Sequence, residues 1–180
     1  ITILAFSLIF RLIVTDKILN EIGVVKKVTD VLDKSGIKYK IVDDVRPNPT
    51  MKNIHDGLKV YQENKCDFII SIGGGSPQDA GKAIGILAAN GGEIKDYEGV
   101  NISKKKSVPI IAINTTAGTA SEVTIFYVIT NEEKHIKMVM VDKNCLATIA
   151  VSDPELMINK PASLTAATGM DTLTHAVEAY

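Results

Sequence analysis

Phe68-Ile69-Ile70-Ser71-Ile72 runs directly into Gly73-Gly74-Gly75-Ser76-Pro77-Gln78-Asp79. A short strand that is apolar on both faces belongs in a parallel sheet covered by helices on both sides. Three glycines close it, and an apolar helical pattern follows to about Ala89. Ser76 suits an N-cap, Pro77 the first helical position and Asp79 the third position of a capping box. Free N–H groups at such a helix start hold phosphate, and glycine lets the backbone come close to it. A tight turn before a well-capped helix accounts for the same residues, so local spacing leaves both readings open. The string is not G-x-G-x-x-G, and it follows a later strand rather than the first.

The pattern extends to both sides. Upstream, Leu12-Ile13-Val14 predicts a buried strand ending at Asp16. Ile18, Ile22, Val25, Val28 and Leu32 then form one helical stripe that stops at Ser35-Gly36. Ile37 to Val42 predicts a strand, Pro47-Asn48-Pro49-Thr50 an extended loop, and Ile54, Leu58 and Tyr61 a helix. Downstream, Val108 to Ile113 is another buried strand. Val123–Thr130 and Lys134–Val141 flank Asn131-Glu132-Glu133 as a hairpin, a strand lies near Thr148–Val151, and the chain is helical from Ala162. Repeated strand–helix–strand units specify an α/β fold with a Rossmann-like parallel sheet. Right-handed crossovers put the loops after Val14, Ile72 and Ile113 on one ligand-binding edge.

Composition narrows the classes. The 180 residues carry 20 Lys+Arg against 21 Asp+Glu, so no broad field draws the chain to nucleic acid or to a membrane surface. The apolar run Ile1 to Val14 is shorter than the roughly 18 residues of a span and has the wrong flanks for a signal peptide. Cys66 and Cys145 fit neither a disulfide framework nor a cysteine metal site, and read as small buried residues of a reduced, cytoplasmic protein.

Other polar positions carry paired readings. Asp16, at a strand tip, either accepts from a ribose diol or caps the next helix. Thr115, Thr116 and Thr119 around Gly118 offer donors for phosphate or ribose, or form an ordinary loop. Asp171 and His175, four apart on a helix, either ligate one divalent metal or make a surface pair. His55, His135 and the run Lys104-Lys105-Lys106 read as solvated surface.

Taken in order, Val14-Thr15-Asp16-Lys17, Pro47-Asn48-Pro49-Thr50, Gly73 to Lys82, Thr115 to Glu122, and Ala166-Ala167-Thr168-Gly169-Met170-Asp171 through His175 to Tyr180 resemble the iron-containing (group III) alcohol dehydrogenases. Gly73 to Gly85 and Val123 to Thr130 look most like the lactaldehyde reductase (propanediol oxidoreductase) branch. The resemblance implies a nucleotide domain over residues 1–160, N-terminally incomplete, and over 161–180 the truncated start of an all-helical metal domain. It implies NAD contacts at Asp16, Asn48, Gly74, Gly75, Ser76, Asp79, Thr115, Thr116, Thr119, Thr124, Val128 and Lys137. It makes Asp171 and His175 catalytic metal ligands, for Fe(II), with Zn(II) fitting nearly as well. The implied reaction is hydride transfer between NADH and a small aldehyde, the metal stabilising the developing alkoxide, with a small primary alcohol or diol of the lactaldehyde/1,2-propanediol kind as the reverse substrate. A homodimer is implied for the full-length protein.

The departures also carry expectations. The family's remaining metal ligands are histidines further on, and no histidine follows His175. The sequence therefore reads as a fragment whose cofactor affinity is weakened and whose turnover is absent or very low. Two alternatives stand beside the dehydrogenase: a non-catalytic NAD-binding remnant, and a glycerol dehydrogenase-like zinc enzyme.

Overall fold

The computed structural model describes residues 10–180, so most of the apolar run at the start lies outside the described residues. From the N-terminal side come β1 (Arg11–Val14), α1 (Lys17–Glu21), α2 (Val24–Lys34), β2 (Tyr39–Val42), α3 (Met51–Glu63), β3 (Ile69–Gly73) and α4 (Gly75–Asn90). Then follow β4 (Gly99–Val100), β5 (Ile110–Asn114), β6 (Phe126–Asn131), β7 (Ile136–Val141), β8 (Ile149–Ser152) and α5 (Ala162–Ala179). β1, β2, β3, β5 and β8 form a parallel five-stranded sheet in the order β2-β1-β3-β5-β8. The fold is α/β, and the C-terminal ends of all five strands share one edge.

Alternation within β1 explains how helices cover both faces. Leu12 and Val14 pack in one core with Ile54 of α3 and Ile84 of α4, while Ile13 joins Val25 and Leu32 of α2 on the other face. Each such buried aliphatic side chain contributes about 1.5–3 kcal/mol. The predicted hairpin is β6–β7, antiparallel with Val128 opposite Val139, and β4 extends it on the β7 side. Its inner face (Tyr127, Ile129, Met138, Met140) packs in the same core as α4. Helix α4 thus lies between two sheets, which accounts for its run of small and apolar residues and for having no polar face to speak of.

Three local expectations are corrected. The single stripe from Ile18 to Leu32 is two helices, because Gly23 takes a left-handed φ of 81° between them. Ile18 and Ile22 are 68% and 60% exposed, so only the second half of the stripe reaches the core. The loop at Pro47–Thr50 is not extended throughout: Asn48 has φ 59°, a conformation asparagine tolerates. Finally, α4 begins one residue before the expected cap. Its N-cap is Gly74, no side chain caps it, and neither Ser76 nor Asp79 serves that end. The buried cysteines are free, as expected.

Candidate functional site

The uncapped start of α4 sits at the carboxyl edge of the sheet, between the ends of β1 and β5. With no side-chain oxygen at the cap, the leading amides of this 16-residue helix are left for an anion. Gly74 is required by a close approach: a Cβ there would lie 2.7 Å from Thr116 Oγ1. The Thr115 amide donates to the Gly73 carbonyl at 3.1 Å, which locks the threonine turn against the glycine turn. Asn48 donates its amide to Ser76 Oγ at 3.2 Å and accepts from Thr130 Oγ1 at 3.3 Å, tying the helix start to β6.

Beside this junction a cavity of about 170 Å³ is lined by Gly75, Asp79, Thr119, Ser121, Thr124, Phe126, Tyr127 and Val128. Five of the expected cofactor positions therefore surround one space. Asp79, instead of capping, faces the chain after the threonine turn and accepts from Ser121 Oγ at 2.8 Å and the Val128 amide at 3.0 Å. Burial raises its carboxyl pKa, opposed by the Ser121 hydrogen bond, the Lys82 charge and the Val128 amide. Asp16 caps α1, accepting from the Leu19 amide at 2.9 Å, and stands at the end of β1, the neighbour of β3. Its capping reading is thus realised, and the same position keeps a carboxylate at the crevice edge. Lys137 lies on β7 opposite Thr130, exposed on the outer face of the small sheet that also carries Val128. A wider depression of about 530 Å³ around Phe10, Gly36 and Tyr39 lies at the other end of the sheet and has none of these groups.

Two residues of the site were not singled out from the sequence. Lys82 is only 2% exposed, and its ammonium donates to the carbonyls of Phe126 (2.7 Å) and Thr124 (2.9 Å) and to Ser121 Oγ (3.2 Å). Burial lowers its pKa, against the nearby Cys145, Asp79 and Glu122. Gln78 is equally buried, and its amide donates to the carbonyls of Gly73 and Ile113, cross-tying the ends of β3 and β5. The available signal was Lys82 standing three residues after Asp79 amid Ala80, Gly81, Ala83, Ile84 and Gly85. An ionisable residue among small apolar ones is buried and needs partners.

The C-terminal helix is built differently. Asp171 Oδ1 and His175 Nε2 are 3.6 Å apart on one face of α5, both side chains about half exposed. No α5 residue is buried. The helix meets the carboxyl edge of the sheet at Gly118, φ 150°, where a Cβ would lie 2.6 Å from the Thr168 carbonyl oxygen. Among the described residues no group of three His, Cys, Asp or Glu side chains could hold a metal. His55 is not fully solvated: its ring lies 3.2 Å from Glu93.

Comparison with known proteins identifies the family. The family profile described as iron-containing alcohol dehydrogenase matches residues 10–154. The chain belongs to the iron-containing alcohol dehydrogenases. It is 53% identical over 169 residues to alcohol dehydrogenase 4 of Schizosaccharomyces pombe, covering 94% of this chain and 40% of that protein. It is 52% identical over 171 residues to lactaldehyde reductase of Escherichia coli strain K12, covering 94% and 45%. The crystal structure of a sulfoacetaldehyde reductase from Bifidobacterium kashiwanohense in complex with NAD+ superposes with a TM-score of 0.87 at 35% identity, covering 98% and 46%. The chain thus spans less than half the length of these family members. No helix among the described residues is long and apolar enough to cross a membrane.

Proposed function

We propose that this chain carries the cofactor-binding half of an NAD-dependent, metal-dependent alcohol dehydrogenase that interconverts small aldehydes and primary alcohols or diols of the lactaldehyde/1,2-propanediol kind. Residues up to 160 form the nucleotide domain, and 161–180 open the metal-binding helical domain. The observation that carries the reading is the glycine turn seated on Thr116, with an uncapped helix start and a cavity beside it. Gly74, Gly75 and Ser76 offer amides to a pyrophosphate, backed by Thr115, Thr116 and Thr119. Asp16 favours a ribose diol and repels a 2′-phosphate. Asn48, Asp79, Thr124, Val128 and Lys137 surround the remaining length of the dinucleotide.

Asp171 and His175 fit a divalent ion as two donors on one helix face, an imidazole with a carboxylate, suited to Fe(II) and to Zn(II). When bound, the nicotinamide supplies hydride and the ion supplies Lewis acidity to the substrate oxygen. The two-donor set favours a second reading for this chain taken alone, in which it binds the nucleotide without turning it over.

The test is a fluorescence titration with NADH and NADPH, with metal analysis and assay of NADH-dependent aldehyde reduction. NADH is expected to bind more tightly than NADPH, metal to be substoichiometric and turnover to stay at background. Gly74→Val is expected to weaken NADH at least about tenfold. Absence of NADH binding would remove the cofactor reading, and stoichiometric metal with turnover would remove the division between the halves.

A further inference from the structure

Glu122 follows the threonine turn and is 9% exposed. Its Oε1 accepts from Asn114 Nδ2 at 3.0 Å, whereas its Oε2 is buried with no hydrogen-bond partner. Asn114 is the last residue of β5, opposite Gly73 on β3. Its own Oδ1 accepts from the Thr116 amide at 2.9 Å, and Thr116 Oγ1 is the atom packed against Gly74. The Glu122 charge lies near the Lys82 ammonium, but a general attraction of that kind asks neither for the hydrogen bond to Asn114 nor for a buried oxygen left without a donor.

Polarity accounts for that bond. An asparagine amide turned end for end would set Oδ1 against the Glu122 carboxylate and Nδ2 against the Thr116 N–H, two acceptors facing each other and two donors facing each other. Glu122 can only accept, so it admits one orientation of Asn114, the one in which Thr116 is held.

We propose that Glu122 is a positioning residue: through the Asn114 amide it fixes the Thr116 turn that faces Gly74, and thereby shapes the pyrophosphate side of the cofactor site. The consequence for the cofactor rests on the function proposed above, whereas the clamp itself is a property of this chain.

The experiment reads Thr116 amide exchange without ligand, NADH affinity, and urea stability in parallel. Asn114→Asp sets two carboxylates against each other and is expected to speed Thr116 exchange and weaken NADH about tenfold. Glu122→Gln keeps an acceptor for Asn114 and is expected to stay within about threefold of the parent, a shift of well under 1.4 kcal/mol. The double variant Asn114→Asp, Glu122→Gln reverses the polarity: the new amide at 122 donates to the new carboxylate at 114, which still accepts from Thr116. It is expected to recover both exchange and affinity. Glu122→Met, which keeps the shape and removes the same charge from beside Lys82 as Glu122→Gln does, is expected to lose Thr116 protection where Glu122→Gln keeps it. That split is one a merely structural role would not produce. The clamp is overturned if the double variant is no better than Asn114→Asp, or if Glu122→Met leaves Thr116 exchange unchanged. If exchange follows the series while the parent chain binds no NADH, the cofactor reading falls and the clamp stands.

Discussion

The start of α4 lies at the crevice edge and α5 meets that edge at Gly118, yet the candidate side chains of the two helices are held by opposite means. Around α4, Lys82, Gln78 and Asp79 are tied by hydrogen bonds to β3, β5 and the segment from Ser121 to Val128. On α5, Asp171 and His175 have each other, and the helix buries none of its residues. Preorganised groups keep their geometry before a ligand arrives, whereas groups on an unsupported helix must be ordered at that moment. On the proposed reading, the contrast sets a preformed cradle at the start of α4 against a bare pair of donors on α5.

The largest expected effect breaks the cradle. Lys82→Ala strands the Phe126 and Thr124 carbonyls and removes the charge beside Asp79, and should cost roughly 3–5 kcal/mol in urea unfolding. Leu173→Ala on α5 should cost under about 0.5 kcal/mol. Similar losses from both would erase the distinction between the two regions.

Next comes the junction. Gly118→Ala combines a strained φ with a Cβ 2.6 Å from the Thr168 carbonyl. Helix content and amide protection over α5 should fall, with β3 and β5 amides unchanged. Loss of protection in β3 and β5 as well would mean that the regions unfold together.

The smallest effect is a pH dependence. The folded Asp79 carboxyl is raised above its ordinary 3.8, so the native state holds its proton to higher pH than the unfolded chain does. Its contribution is fully present below 3.8 and lost as pH climbs through the raised value. Urea stability relative to Asp79→Asn should therefore decline with rising pH across that window. A flat difference would show that Asp79 is charged alike in both states.

The same contrast governs how much was legible in the sequence. Strands such as Phe68–Ile72 and the β6–β7 hairpin were readable because period and turn residues decide them locally. The break at Gly23 was not, because Ile18 and Ile22 keep the helical spacing although both are largely exposed. The cap at Ser76 failed for a similar reason: the side chain was suitable, but Asn48 and Ser121, distant in sequence, claimed Ser76 and Asp79. Those partners become visible only once β6 lies beside α4. The α5 pair was readable as a pair from its i,i+4 spacing, which needs no tertiary information.

Thr168 lies against Gly118, so the turn bearing Thr116 and Thr119 shares a wall with the helix bearing Asp171. A side chain at position 118 would therefore push on both the turn and the helix at once. Turn and helix meet at a notch only as deep as one missing methyl group.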